Sequence, residues 1–366
     1  MNGGAPRSVR GQDLHQQQAR RARRSGGNLL ISYSKNLLIS GLLLAGAAVA
    51  IHGVLASAVE QPAAPGKLHL TAVASSLVEQ GLASAAPAGP DAASYQEIPS
   101  PGVRYLPNVA RATNIPWIDS NGWRFARGMR KVRYTNVPAG SASLAAAEAF
   151  VFNVDAIINP DPKDLVDLGR MLRFLKANEQ APLPEMVNIG VVDSPSPLIN
   201  EVLNLLTRRN LLYKVVPAPD RTLDLNVQLG TPDFPAEAAA NPYEFAARVR
   251  AKLGDDKRLV RLYGTSTVIA RFTGDKIRAR LYLLSFSSRR QQDGGAQAGA
   301  PSGRVVPAGV EAIRVRVQGR YQPAKFAAYG ASPEAKVSDV RHPGTTTEFW
   351  VPDFNTLAIV DLEAMK

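Results

Sequence analysis

The chain has 366 residues, of which 45% are hydrophobic, and this length is enough for two modest domains with packed cores. Its formal charge is +12, but half of the excess lies in residues 1–36, so the body lacks the concentrated basic face of a nucleic-acid-binding protein. The absence of cysteine from the sequence excludes thiol catalysis and zinc sites built from cysteine.

The N-terminal region predicts a chain that is directed to a membrane. A basic leader at residues 1–36 precedes residues 37–58, a stretch of 22 residues without a formal charge apart from His52. At ~1.5 Å per residue such a helix spans ~30 Å of hydrocarbon, and the basic flank places the N-terminus in the cytoplasm. The membrane is therefore an expected partner through an uncleaved anchor, with the body periplasmic or extracellular. The alternative is a signal sequence that is cleaved after Ala58, because Ala56-Ser57-Ala58 matches a small-residue cleavage site, and the body is then secreted.

The middle of the chain predicts a tether followed by an α/β domain. Residues 59–104 are rich in Ala, Pro, Ser and Gly, which is typical of a flexible linker. Apolar periodicity in residues 105–257 then predicts helices at 141–153, 161–176 and 197–209, and strands at 187–192 and 211–216. Helices that alternate with strands over short connections predict a Rossmann-like parallel α/β domain.

Residues 258–366 predict an antiparallel β-sandwich. Several runs in this region alternate with period two, and in Arg314-Val315-Arg316-Val317 the arginines alternate with valines. Such alternation indicates a sheet with one solvated face and one buried face. The predicted fold class is thus α/β plus all-β, with an N-terminal transmembrane helix, a parallel α/β domain and a C-terminal β-sandwich.

An aromatic and polar motif at residues 114–125 predicts a sugar-binding site. Aromatic rings can cover the apolar face of a sugar, while amides, carboxylates and guanidinium groups hydrogen-bond its hydroxyls. The alternative is that the tryptophans are core anchors, since tryptophan is mostly buried in folded proteins. The predicted ligand-binding residues are Trp117, Asp119, Asn121, Trp123 and Arg124.

Asp119 and Glu148 are the candidate catalytic residues, because a hydrolase of glycosidic bonds needs two carboxyl groups. The alternative for Glu148 is a structural role on a helix that is rich in alanine. The sequence contains no nucleotide-binding glycine motif and no cluster of metal-ligand residues, so neither a cofactor nor a metal is expected.

The order of these parts resembles the C-terminal half of large glycoside hydrolases of the β-galactosidase type. The resemblance rests on the Trp117–Arg124 region, the alanine-rich helix around Leu144–Phe150, the α/β unit at 187–216 and the terminal β-sandwich. It implies the end of a (β/α)₈ barrel, an amidotransferase-like α/β domain and a small β-sandwich. A complete barrel needs ~250 residues, and about a third of that length is available here before residue 187, so no catalytic residue is transferred.

These observations favour a membrane-anchored, extracytoplasmic, glycan-associated protein of glycoside-hydrolase-like descent that is non-catalytic or weakly catalytic. Polysaccharide or proteins of the cell envelope are the expected partners. Two alternatives stay open. One is a structural or assembly protein of the envelope that acts through protein–protein contacts, and the other is an active glycoside hydrolase that uses Asp119 and Glu148.

Overall fold

A computed structural model of the chain describes residues 65–104, 117–291 and 304–365. The transmembrane helix predicted at 37–58, and the leader before it, lie outside these residues. Within the three described ranges, no helix has both the length and the apolar character that crossing a bilayer requires. The predicted fold class is corrected accordingly: the described residues form parallel α/β sheets and antiparallel sheets without a membrane-spanning helix.

The first part of the structure is a five-stranded parallel sheet with the order β2-β1-β7-β6-β3. The chain order runs around this sheet as around a ring, and the consecutive strands β2 and β3 form its two edges. This is the order of a β/α barrel that is open at one point, with five strands in place of eight. The elements in chain order are β1 (Leu68–Leu70), α1 (Ser75–Glu79), β2 (Ser84–Ala85), α2 (Pro90–Ala93), β3 (Gln96–Pro99), β4 (Gly102–Arg104), β5 (Trp117–Asp119), α3 (Gly122–Ala126), β6 (Lys131–Thr135), α4 (Ala142–Phe152), β7 (Asp155–Ile158) and α5 (Leu165–Ala177).

Part of the segment that was predicted to be a flexible tether is integrated into this sheet. Strands β1, β2 and β3 all lie within residues 59–104, and Leu70 and Ile98 are buried in the core. The strands are only two to four residues long, which is too short to show a period-two pattern, and their composition is that of a linker. Strand β1 pairs with β7 and β3 pairs with β6, so these segments are ordered by pairing that their composition does not reveal.

Helix α4 is enclosed by neighbouring elements. Its alanines 145, 146, 147 and 149 are fully buried, and the helix contacts β1, β7 and α5 as well as a strand of the C-terminal part. Alanine side chains allow these layers to approach the helix on all sides. The alanine-rich helix predicted over 141–153 is therefore present, but it is enclosed rather than amphipathic.

The second part is a three-stranded parallel sheet of order β10-β8-β9 with two long helices. Its elements are β8 (Ile189–Val192), α6 (Leu198–Arg208), β9 (Tyr213–Val216), β10 (Leu225–Val227) and α7 (Pro242–Leu253). Short 3₁₀ helices lie at Ala72–Ala74, Pro162–Asp164, Ala236–Ala240 and Asp255–Lys257. The region predicted as a single α/β domain thus forms two separate parallel sheets.

The third part is an antiparallel sandwich of two four-stranded sheets, with the orders β11-β16-β19-β18 and β12-β13-β20-β17. The strands of this part are β11 (Val260–Tyr263), β12 (Val268–Gly274), β13 (Arg278–Ser285), β14 (Ser288–Gln291), β15 (Arg304–Pro307), β16 (Ile313–Gln318), β17 (Tyr321–Ala328), β18 (Ser338–Arg341), β19 (Thr346–Val351) and β20 (Leu357–Ala364). Of these, β14 and β15 pair with each other in a separate two-stranded sheet. Val315 and Val317 point into the core while Arg314 and Arg316 face outward, so the alternating pattern and the sandwich are confirmed.

Candidate functional site

The predicted sugar motif is tied to Glu148 by a buried hydrogen-bond cluster. Glu148 on α4 is fully buried, and its Oε1 accepts hydrogen bonds from Ser120 Oγ at 3.0 Å and from the Asn121 backbone N–H at 2.8 Å. Its Oε2 accepts from Asn121 Nδ2 and from the Tyr134 hydroxyl, both at 3.0 Å. Asn121 Nδ2 also donates to the carbonyl of Pro99. The cluster therefore fastens the segment after β5 to β3, β6 and α4.

The electrostatics of Glu148 are those of an enclosed carboxyl group. Burial raises its pKa, and the hydrogen bonds from Asn121, Tyr134 and Ser120 counteract part of that rise because they stabilise the charged form. Burial, followed by the charge of Glu148, raises the pKa of Tyr134 as well. A general acid must reach its substrate, and Glu148 has no exposed surface. This geometry argues against the catalytic role predicted for Glu148.

The two tryptophans of the motif are half-buried and each is covered by a guanidinium group. The Arg208 guanidinium lies 3.4 Å from the ring centroid of Trp117, and that of Arg124 lies 4.2 Å from the ring of Trp123. Trp123 also packs against the core beneath α6. Cation–π contacts of this kind stabilise the rings and occupy one face of each of them.

The structure brings several of the predicted site residues together. Asn121, Arg124 and Glu148 form one cluster, since Arg124 Nη1 donates to Asn121 Oδ1 at 3.0 Å. Asp119 ends β5, opposite Gly102 of β4. Asn121 is buried and its amide is already used, so it is not available to sugar hydroxyls. Sugar binding at this motif stays a prediction.

A second aromatic site lies on the outer face of the sandwich. Tyr263 of β11 pairs with Arg314 of β16, and Arg314 pairs with Trp350 of β19, so the three side chains form a row across neighbouring strands. Trp350 is 40% exposed and Tyr263 is 39% exposed. The two aromatic residues are two strand spacings apart, which is ~9.5 Å. The Arg314 guanidinium lies 5.5 Å from the ring centroid of Tyr263, and part of each aromatic side chain stays open to solvent.

This row borders a cleft of about 690 Å³. That volume lies within the range of ligand sites, which is ~300–1,000 Å³. The connection between β11 and β12 also lines the cleft, and it turns at Gly264, whose φ of +83° suits glycine. Hydroxyl groups and one carboxylate complete the lining: Thr265, Ser266, Thr267, Ser287 and Glu311.

Arg314 is held in place by an ion pair within its own sheet. Its guanidinium bonds the carboxylate of Glu348, which raises the pKa of Arg314, and Arg316 Nε lies 3.7 Å from the same carboxylate. A guanidinium that is fixed between two exposed rings gives the row a defined shape before any ligand arrives. An arrangement of this kind can bind a flat, hydroxylated molecule with two aromatic contacts and several hydrogen bonds.

Sequence reasoning missed Trp350, although a signal was present. In Thr346–Val351 the residues that alternate with the buried Phe349 and Val351 are Thr346, Glu348 and Trp350. A tryptophan on the polar side of an alternating strand is expected to face solvent.

Among the described residues, no group of three or more His, Cys, Asp or Glu side chains is placed to hold a metal ion.

The sequence matches no protein-family profile and no curated protein. Two similar solved structures are glycoside hydrolases. The α-L-fucosidase isoenzyme 2 of Paenibacillus thiaminolyticus has a TM-score of 0.44 and 8% identity, over 62% of this chain and 57% of that chain. The α-amylase of H. orenii has a TM-score of 0.20 and 10% identity, over 62% of this chain and 35% of that chain. This chain therefore spans little more than half of the fucosidase.

Both of these similar structures are glycoside hydrolases, which is the broad class that the sequence resembles. TM-scores below 0.5 at such low identity carry no argument about activity or substrate. The functional argument therefore rests on the geometry of the sites.

Proposed function

We propose that this protein binds carbohydrate in the cleft of the C-terminal sandwich and does not hydrolyse it. The observation that carries the proposal is the row Tyr263–Arg314–Trp350, two exposed rings on either side of a fixed guanidinium. The C–H faces of a sugar ring are apolar and pack on indole or phenol rings, while its hydroxyls need donors and acceptors such as those of Thr265 and Ser266.

The absence of a carboxylate pair supports binding without hydrolysis. Among the described residues that line the cleft, Glu311 is the one carboxylate, whereas glycoside hydrolysis commonly requires two that face each other. Glu348 lies two residues before Trp350 on β19, and its carboxylate forms ion pairs with Arg314 and Arg316. Neither carboxylate has a second acid placed across the cleft from it in the lining.

The same row also supports a second candidate function, which is contact with another protein. Tryptophan, tyrosine and arginine are the residues that most often dominate binding energy in protein interfaces. This candidate corresponds to an assembly role in the cell envelope. It differs from glycan binding because a protein contact does not require the hydroxyl-lined cleft beside the row.

A glycan array probed with the full chain tests the proposal, followed by titration of the glycans that bind. Trp350→Ala is expected to weaken binding about tenfold or more, which corresponds to ~1.4 kcal/mol, and Tyr263→Ala is expected to weaken it less. Both side chains are only about 40% exposed, so thermal melts are recorded beside the titrations to separate a loss of binding from a loss of stability. Ile277→Ala is the matched control: Ile277 is exposed on the same sandwich but lies at the far end of β12, ~20 Å along the strand from the cleft.

Absence of binding to every glycan on the array would contradict the proposal. Retention of full glycan affinity by the Trp350→Ala variant would contradict the site. Binding of an envelope protein that is lost on Trp350→Ala, without any glycan binding, would support the second candidate instead.

A further inference from the structure

Four arginines from three parts of the chain line a cavity of about 200 Å³ next to the cleft. Arg208 and Arg209 lie at the C-terminal end of α6, Arg250 lies near the end of α7, and Arg258 precedes β11. At ~30 Å³ per water molecule, the cavity has room for about six waters. It is therefore large enough to receive one polar group of a ligand.

Acidic side chains only partly balance this positive charge. Asp255 is shared by three arginines: its carboxylate lies 3.2 Å from Arg250 Nη2, 3.8 Å from Arg258 Nη1 and 3.6 Å from Arg261 Nη1. Burial, followed by the charge of Arg250, lowers the pKa of Arg258. Burial is the larger cause of this shift, and the charge of Arg250 adds to it, so a bound anion would stabilise the buried cation.

Arg258 provides a donor that the protein itself does not use. Its side chain is only 12% exposed, and Nη2 donates to the carbonyl of Arg209 at 3.3 Å. Within the described part of the chain, its buried Nε–H has no hydrogen-bond acceptor. A buried guanidinium donor without an acceptor is unfavourable, so a ligand oxygen at this position would contribute binding energy.

The cavity and the cleft are neighbours. Thr265 and Ser266, in the connection between β11 and β12, line both of them. A ligand that lies on Trp350 and Tyr263 and extends past this connection reaches the arginines. The guanidinium groups are planar forks of donors, and their geometry matches carboxylate and sulfate groups.

We propose that the arginine cavity binds an acidic substituent of the same saccharide whose ring lies on the aromatic row, so that the protein selects anionic over neutral glycans. This inference rests on the proposed function and specifies its ligand class. The anionic group is a carboxylate or a sulfate ester. Binding should weaken as the salt concentration rises, because charge contributes to it.

Titration of the full chain with matched oligosaccharides tests this selectivity. The probes are a galacturonic acid oligomer, the same oligomer with its carboxylates methyl-esterified, and a galactan oligomer with and without sulfate esters. Esterification or desulfation removes the charge and leaves the sugar rings in place. At least one charged oligomer is expected to bind about tenfold or more tightly than its uncharged counterpart, which corresponds to ~1.4 kcal/mol.

Two substitutions and a control locate the effect. Arg258→Gln and Arg250→Gln are expected to abolish the preference for the charged oligomer, and binding of the uncharged oligomer is expected to stay unchanged. Arg250 is 47% exposed, so its variant is expected to fold even if the Arg258 variant does not. Arg248→Gln is the control, because Arg248 is exposed on α7, the helix of Arg250, but does not line the cavity. The Arg248 variant should keep the preference for the charged oligomer.

Three results would overturn the inference. Equal affinity for charged and uncharged oligomers, with both weakened by Trp350→Ala, would refute the anion selectivity and leave the proposed function intact. A preference for charge that survives in both the Arg258 and Arg250 variants would place the anion elsewhere. Binding of inorganic sulfate without binding of any saccharide would refute this inference together with the proposed function.

Discussion

Removal of the Glu148 side chain tests whether the buried cluster holds the α/β part together. In Glu148→Ala, four hydrogen bonds to the carboxylate disappear, from Ser120 Oγ, the Asn121 backbone N–H, Asn121 Nδ2 and the Tyr134 hydroxyl. The hydroxyls can rotate and Asn121 Nδ2 keeps the Pro99 carbonyl, but the buried backbone N–H of Asn121 is left without an acceptor. A stranded buried donor costs about 1–3 kcal/mol, and each lost hydrogen bond to a charged group costs ~1.5–3 kcal/mol. The substitution also removes the cost of burying the carboxylate, which offsets part of this loss.

We therefore expect the free energy of unfolding to fall by about 1–3 kcal/mol in Glu148→Ala, because the substitution strands the Asn121 N–H but removes the buried charge itself. Tyr134→Phe removes one hydrogen bond and strands no donor, so about 1–2 kcal/mol is expected. Urea unfolding of the full chain, followed by circular dichroism, measures both values. Glu201→Ala, on the exposed side of α6, is the control and should stay within ~0.5 kcal/mol of the parent chain.

The pH dependence of the same cluster gives an independent measurement. Burial raises the pKa of folded Glu148, so between its unfolded and folded pKa values the folded state binds more protons than the unfolded state. This group's contribution to stability therefore increases as the pH falls through the folded pKa, and it is lost above that value. Glu148→Gln does not titrate, so its deficit relative to the parent chain should grow as the pH is lowered. A loss below ~1 kcal/mol in Glu148→Ala, or a deficit in Glu148→Gln that is independent of pH, would refute the enclosed cluster.

Two further substitutions test the packing. A Cβ on Gly122 would lie 2.6 Å from Cζ of Phe152, so Gly122→Ala is expected to lower the free energy of unfolding by ~1–3 kcal/mol. Gly102→Ala is the control and should leave the stability unchanged, because there is open space around Gly102. A neutral Gly122→Ala would mean that α3 and α4 are not in close contact. Arg280 is buried and bonds Asp361 through Nε at 2.5 Å and Nη2 at 3.0 Å, so Arg280→Met is expected to cost ~3–5 kcal/mol by chemical denaturation. Addition of Asp361→Leu should recover most of that loss, and an additive double mutant would contradict the buried ion pair.

The parts of the fold that were predictable have local causes. Strand β16 alternates between arginine and valine because one face of its sheet is solvated, and this pattern is visible within four residues. Helix α4 is visible as a run of strong helix formers, although its complete burial depends on layers from distant parts of the chain. Strands β1 and β2 were not predictable, because two or three residues carry no periodicity. They are defined by pairing, β1 with β7 and β2 with β1.

The sites show the same difference between features that are local in the sequence and features that depend on distant residues. The motif with Trp117 and Trp123 is conspicuous because its aromatic residues are close in sequence, yet guanidinium groups cover both rings. The row of Tyr263 and Trp350 joins residues that are far apart in sequence, so only the strand register reveals it. The arginine cavity requires the convergence of α6, α7 and the start of β11, and no spacing in the sequence encodes that convergence.

Hydroxyl-radical footprinting of the full chain, with and without the tightest-binding glycan from the array, tests the central claim most directly. The method reports the solvent exposure of individual tryptophan and tyrosine side chains. Our account predicts protection of Trp350 and Tyr263 on glycan binding, with no change at Trp117 and Trp123. Protection of Trp117 or Trp123 with Trp350 unchanged would contradict it and would place the sugar at the motif that the sequence first indicated.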